Sequence, residues 1–326
     1  MNEPEKNRVK QCLTEIKDVV IRETILILKY YCHLFVKNHN DLKYIYVADG
    51  KIPIGGMFDR LKGIITIYSI AKSQNINFKI HFIHPFLLQT YLEPNRYDWR
   101  IDSNSVVYSF PKSRPIFAFG EYSNPHRLFK QRNGETHFLY GYDSLDKVNE
   151  YYGTNYDWGE LYRELFKPTQ YLQQYIDLYK QEIGPEYIVV HTRFLNLLGD
   201  KMETDVNPEL PVDKKTLLIS RCIDKIKDIA SGTKTKIMIA SDSMTFIEAV
   251  KKEIDDVYIV PGQVKHIGTS KEVDDSENIK MFVDYYLIAG AKKVYSIVGE
   301  GMWQSAFPEY AAKIGCVEFK RILIDG

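Results

Sequence analysis

An α/β fold of two domains, each a parallel sheet covered by helices, is predicted from three observations. The chain has 326 residues, more than one ordinary core holds and suited to two domains of about 150 residues. Its second half alternates short apolar runs with helical-period segments without a break. Its first half holds a β-loop-α-β unit with two glycines at the helix entrance, an arrangement typical of parallel sheets.

In order along the chain, "KYIYVAD" (Lys43 to Asp49) is β-rich and ends at the turn signal Asp49-Gly50. "KIPIGGMFDRLKGIITIYSIAKSQN" follows, with Leu61, Ile64, Ile65, Tyr68 and Ala71 at helical spacing, and Phe78 to His84 is the next strand. From about Glu93 to Gly153, Tyr, Asn, Pro and Gly crowd together, which predicts loops and short strands decorating the first domain. A helix from about Trp158 is broken at Pro168 and ends at Gly184-Pro185. That stop sets the domain boundary, giving residues 1–184 and 185–326. Beyond it the reading is strand Tyr187 to His191, helix Asp213 to Ala230, strand Lys236 to Ala240 and helix Met244 to Glu253. Strand Val257 to Val260, helix Glu277 to Ala289, strand Lys293 to Val298 and helix Trp303 to Lys313 complete the pattern, with a short run Cys316 to Phe319 closing the sheet.

Composition excludes several classes. Lys plus Arg and Asp plus Glu number 43 each, so no global field draws the chain to nucleic acid or an anionic membrane. Cys12, Cys32, Cys222 and Cys316 show no CxxC spacing and suggest neither zinc nor a disulfide framework. The charged start "MNEPEKNRVK" leads into no signal-type segment, and no run reaches the roughly 18 apolar residues of a membrane helix. The nearest, "TILILKYYCHLF", is interrupted by Lys29 and His33. A soluble, cytoplasmic protein without an integral membrane segment is expected.

Doubly wound domains bind ligands beyond the carboxyl ends of their strands. The second domain offers four such ends: His191-Thr192-Arg193, Ser241-Asp242-Ser243, Pro261-Gly262 with His266 behind, and Gly299-Glu300-Gly301. Arg193 stands out, because a guanidinium holds two phosphate oxygens through paired donors and keeps its charge at any working pH. An ion pair with Asp200 or Asp242 is the structural alternative. Ser241-Asp242 equally suits a helix N-cap. Gly299-Glu300-Gly301 before a helix would leave backbone N–H groups open to a phosphate. GxGxxG and GxxxxGK[ST] are both absent, against nicotinamide cofactors and ATP hydrolysis. Asp255-Asp256 and Asp274-Asp275 fit solvated turns, so no metal is assigned.

Taken in order, these segments resemble the motifs of the GT-B fucosyltransferase superfamily, which contains the α1,2-, α1,6- and protein O-fucosyltransferases. His191-Thr192-Arg193 is similar to its HxR motif, and "MIASDSMTFIEAV" to its strand-plus-acid motif. "NIKMFVDYYLIAGAKKVYSIVGEGMWQSAFPEYAAKIG" is similar to the last motif, and "GGMFDRLKGIITIYSIA" to the early Gly-Gly loop and helix. The likeness runs from about Ile54 to Gly315. It implies two Rossmann-like domains facing across a cleft, with the acceptor on the first and the nucleotide sugar on the second, in a bacterial member. It also implies inverting transfer of fucose from GDP-fucose to a glycan or glycoconjugate, with no metal or other cofactor.

Carried over to this chain, Arg193 binds the β-phosphate and stabilises the leaving diphosphate. His191 and Asp242 hold the nucleoside, while Ser241, Glu300-Gly301 and the backbone of Gly55 and Gly56 lie along the phosphates. Asp59 is the candidate base, and Asp284 matches the inner acid of the last motif. The chain departs from the pattern at Phe194, where many members carry a second arginine, at Asp59 for the usual Asn, and at Glu300 in a Ser-rich position. Two alternatives stay open: a GT-B transferase using another nucleotide sugar, and a nucleotide-binding protein without transfer.

Overall fold

The computed structural model describes residues 20–31, 42–52, 55–118, 126–200, 208–262 and 275–324. The readings of Cys12, Cys32, Ile54, His266 and Asp274 lie outside them. The chain divides into two compact units, Met1–Leu88 with Pro94–Phe166, and Gln89–Glu93 with Lys167–Gly326. The division therefore falls near Phe166 and not at Gly184. The reason is helix α6 (Gln170–Ile183), which buries Leu172, Ile176 and Ile183 and packs on α9 (Asp275–Ala289) of the second unit. Tyr91 of the Gln89–Glu93 segment joins the same unit by stacking on Phe282, with ring centroids 5.1 Å apart.

In the first unit, β1 (Lys43–Ala48), β2 (Asn77–Phe82), β4 (Ser113–Phe117) and β5 (Glu135–Leu139) form a parallel sheet in the order β2-β1-β5-β4. Helix α2 (Met57–Ser73) is buried over most of its circumference, because it packs on β1 and β2 and also on α4 (Leu145–Tyr152) and α5 (Trp158–Leu165). A helix made of residues 20–30, α1, lies over the other face, with Leu26 among Ile45, Val47 and Leu139. Three short elements complete the unit or its border. They are helix α3 (His126–Phe129) and strands β3 (Leu92–Pro94) and β6 (Phe166–Pro168), which form a ladder where the chain passes between units.

The stretch from Glu93 to Gly153, read as loops and short strands decorating this domain, supplies half of its sheet. The sequence reading does not locate these strands or put them in the main sheet, because β5 buries Glu135, Thr136 and His137, polar residues that erase the apolar signature. The burial of Glu135 and His137 is balanced locally. Glu135 Oε2 pairs with Lys43 Nζ at 2.9 Å, and Oε1 accepts from His137 Nε2 at 2.6 Å and from the Val107 N–H at 2.9 Å. His137 Nδ1 meets the Tyr31 hydroxyl at 2.7 Å. Burial keeps the Tyr31 proton in place, so Tyr31 donates to Nδ1 and a neutral His137 donates to Glu135. Burial alone would raise the Glu135 carboxyl, but His137, Lys43 and the Val107 N–H outweigh it and bring it down to about 2.

The second unit holds β7 (Tyr187–Thr192), β8 (Lys236–Ser241), β9 (Val257–Tyr258), β10 (Lys293–Val298) and β11 (Glu318–Leu323) in a parallel sheet, order β11-β10-β7-β8-β9. β7 is central and buried at every residue. Alternation sends Ile188 and Val190 into the core under α7 (Val212–Ser231) and α8 (Met244–Glu253). His191 points the other way, where its ring lies 5.7 Å from Phe307 of α10 (Phe307–Gly315). Helix α10 packs on α9, and their ends meet so closely that a Cβ on Gly315 would collide with the Ala289 carbonyl oxygen. Two expectations shift here. The last helix starts at Phe307 and not at Trp303, and the closing strand runs Glu318–Leu323. Among the described residues no helix is long and apolar enough to cross a membrane.

Because Glu135 is depressed in the folded chain, its contribution to stability is present above the unfolded value of 4.5 and lost as pH falls toward about 2. Glu135→Gln should cost about 3 to 5 kcal/mol at pH 7 by leaving Lys43 uncompensated, read by urea unfolding. The gap between variant and wild type should narrow as the pH is lowered from 5 to 3.

Candidate functional site

The polar residues singled out at the strand ends of the second unit gather around the exit of β7. Register places His191 beside Ala240 of β8 and Ser296 of β10, and Ser296 beside Arg321 of β11, so His191 and Arg321 lie on one row of one face. His191 is buried, and its Nδ1 has no hydrogen-bond partner among the described residues. Burial first, then the charges of Arg193 and Arg321, push the imidazole down to about 3. It is therefore a neutral ring at neutral pH.

Arg193 follows Thr192 at the strand exit and is partly exposed. What holds it there is Asp242. One carboxylate oxygen accepts from the Phe194 N–H at 2.8 Å and the other from the Leu195 N–H at 2.9 Å. Burial raises the Asp242 carboxyl, opposed by the Arg193 charge and these two N–H groups. Both carboxylate oxygens thus have partners in the protein, and the structure shows Asp242 bracing the loop after β7. Thr192 Oγ1 donates to Ser241 Oγ at 2.9 Å, tying the ends of β7 and β8 together.

The α8 cap also differs from the sequence reading. Ser243, not Ser241-Asp242, caps α8, accepting from the Phe246 N–H at 3.0 Å. Asp200 completes the cap, accepting from the Thr245 N–H at 3.1 Å and the Thr245 hydroxyl at 3.0 Å. Phe194 turns into the core against Phe246, with centroids 4.8 Å apart, so it lies beneath the loop and away from His191.

Gly299-Glu300-Gly301 forms a tight turn, closed by Met302 N–H to Gly299 O at 3.1 Å with Gly301 at φ 77°, where a side chain would be strained. The turn precedes α10 by several residues, so its N–H groups do not form the helix entrance, and Glu300 is exposed. The entrance itself is Ser305-Ala306-Phe307, where the Phe307 N–H donates to Ser305 Oγ at 3.2 Å. Arg321 donates to Glu309 Oε2 at 3.1 Å and to Ser305 O at 3.4 Å, bracing that entrance. Ser305, Phe307 and Arg321 do not stand out in the sequence. Only the basic pair in "EFKRIL" signals the last of them.

Asp284 is an interior acid of the second unit. It is buried in α9, its Oδ2 2.9 Å from Lys280 Nζ, and its Oδ1 has no partner among the described residues. Its neighbour Tyr285 packs on Phe307 at 5.3 Å, on the side of the sheet where His191 points.

In the first unit, Gly56 opens α2 and Asp59 lies in its first turn, 35% exposed and 3.1 Å from Lys62 Nζ. The Gly55 carbonyl is taken by Arg60 Nε at 2.9 Å, and Arg60 Nη1 also donates to His84 O at 2.5 Å. The Gly-Gly loop is thereby locked to the ends of its own sheet. Among the described residues no three His, Cys, Asp or Glu side chains converge on a point suited to a metal.

No family model matches the chain, and no curated protein does. Solved structures do. A mutant of Arabidopsis thaliana FUT1 in complex with GDP superposes with a TM-score of 0.55 at 11% identity, over 92% of this chain and 74% of that one. NodZ, an α-1,6-fucosyltransferase soaked with GDP-fucose, gives 0.55 at 17%, over 84% and 92%. NodZ from Bradyrhizobium gives 0.53 at 16%, over 83% and 92%. The fold is that of the GT-B fucosyltransferases. At this identity the likeness establishes the fold alone, and the chemistry must be argued from the residues.

Asp242→Asn, which places an amide N–H₂ against a backbone N–H, should cost about 2 to 3 kcal/mol in urea unfolding and speed hydrogen exchange at Phe194 and Leu195. A loss within experimental error would show that the carboxylate is not the brace. His191 adds a pH signature: its depressed value means stability is lost as pH falls from 6.5 toward about 3. His191→Asn should flatten that part of the pH–stability curve.

Proposed function

We propose that this chain is an inverting glycosyltransferase that moves fucose from GDP-fucose to a hydroxyl of a glycan or glycoconjugate. The observation carrying this reading is Arg193, a cation fixed at the carboxyl end of the central strand in a fold shared with fucosyltransferases, one of them solved with GDP and another soaked with GDP-fucose. In such a transfer the diphosphate leaves as the sugar carbon becomes cation-like. Fixed positive donors at the β-phosphate then supply the main lowering of the barrier.

Arg193 takes that role, with the α10 entrance at Ser305 to Phe307 as the further donor set on the same side of the sheet. His191 forms the neutral floor of the nucleoside subsite. Asp242 and Ser241 act by positioning the loop, and Asp284 is an interior partner of Lys280. Asp59 is the candidate base in the first unit, which we read as the acceptor domain, and Gly55 and Gly56 lie along the donor. No metal takes part, and the protein works in the cytoplasm.

One observation favours a second reading, nucleotide binding without transfer. Phe194 is wholly buried, so that position presents no second cation to the diphosphate. A thermal-shift panel of GDP, UDP and ADP, followed by GDP-fucose hydrolysis, separates the cases. GDP alone should stabilise the protein and the donor should be consumed. GDP binding without turnover would favour the second reading, and stabilisation by UDP a different donor. Arg193→Ala should lower turnover by about 10² to 10³ with an unchanged melting temperature, and near-normal turnover would remove Arg193 from the mechanism.

A further inference from the structure

Resting on the donor-site reading above, we infer that Trp303 is the platform that recognises the sugar of the nucleotide-sugar donor, stacking its indole on the C–H face of the pyranose. The chain has three tryptophans. Trp99 and Trp158 are buried in the first unit, whereas Trp303 is 53% exposed in the second. Its backbone is held on both sides: the Trp303 N–H donates to the Arg193 carbonyl at 3.0 Å, and its own carbonyl accepts from the Ser305 N–H at 2.9 Å. The preceding turn is anchored by buried Met302, whose sulfur lies 3.2 Å from the Gly299 N–H. Among the described residues neither an aromatic ring nor a cation packs on the indole.

A rigid backbone carrying a half-exposed ring costs little entropy when a ligand arrives, which is the economy of a preformed platform. Position selects the ligand part. Trp303 is hydrogen-bonded to the residue assigned to the β-phosphate, and the group bonded to that phosphate is the sugar. The nucleobase is separated from it by the α-phosphate and ribose. A 6-deoxyhexose offers an unbroken C–H face and a methyl group, and stacking on an indole rewards both by dispersion and burial.

The exposed tryptophan also supplies the readout. Binding of GDP and of GDP-fucose would be titrated by tryptophan fluorescence with acrylamide quenching, and by thermal shift, for wild type, Trp303→Phe and Trp303→Ala. GDP-fucose should shield the wild-type indole from acrylamide and GDP should leave it accessible. Trp303→Ala should bind GDP within twofold of wild type by thermal shift and GDP-fucose about tenfold more weakly, with Trp303→Phe recovering most of the loss. Equal weakening of both ligands would place the indole at the nucleoside and overturn the inference, as would unchanged binding of both. If wild type binds no GDP, the donor-site reading falls and takes this one with it. GDP binding with no preference for the sugar-bearing ligand defeats the Trp303 assignment alone.

Discussion

A single carboxylate, Asp242, spans the two amides of Phe194 and Leu195, and much of the second unit's polar edge depends on it. A strand that ends at a sheet edge has no ladder to fix the residues beyond it. By accepting both N–H groups, the acid from the end of β8 continues the order of β7 into the loop. Arg193 therefore leaves the strand with a defined direction, Phe194 is turned into the core against Phe246, and the Arg193 carbonyl faces the Trp303 N–H. Asp200 acts in a similar way further along, since the same loop returns to cap α8. The edge is thus held by acids acting on backbone, a cheaper use of buried charge than an isolated ion, because every oxygen has a donor.

The two units solve the cost of buried polarity differently. The second has an apolar core under α7 and α8, and its buried polar residues include those at the strand ends, Ser296 of β10 and, in α9, Lys280 and Asp284, which pair. The first carries Glu135, His137 and Lys43 within its sheet and satisfies them by mutual pairing and by Tyr31. A half-made network there would be worse than none, and each of these side chains has its partner in place.

That contrast decides what is legible in the sequence. The strands of the second unit show as apolar runs: β8 reads as Lys236 to Ala240 and extends to Ser241, β10 matches Lys293–Val298, and α8 matches Met244–Glu253. β4 and β5 are not legible, because Arg114, Pro115 and the buried Glu135 and His137 look like loop composition. The start of α10 is misplaced because the segment from Trp303 mimics a helical period, while the Gly301 turn and the Ser305 bond delay the helix. At the candidate site, Arg193 and His191 can be named from local pattern alone. Arg321 and the capping role of Asp200 cannot, since they reach the site through register and loop return across long stretches of sequence. Asp242 illustrates a different limit: an acid at a strand end reads equally as ligand or helix cap, and its bracing of the Phe194 and Leu195 amides shows only in the structure.

The closeness of Gly315 to Ala289 reaches further than the helix end where it occurs. With the last turn of α10 pressed onto the last turn of α9, the nine-residue helix is clamped at its far end, and it carries Phe307 at the near one. Helix α10 then behaves as a short lever whose fulcrum is a missing methyl group. Any side chain at position 315 would have to push the two helix ends apart, and the displacement would be delivered along the rod to the ring that lies against His191.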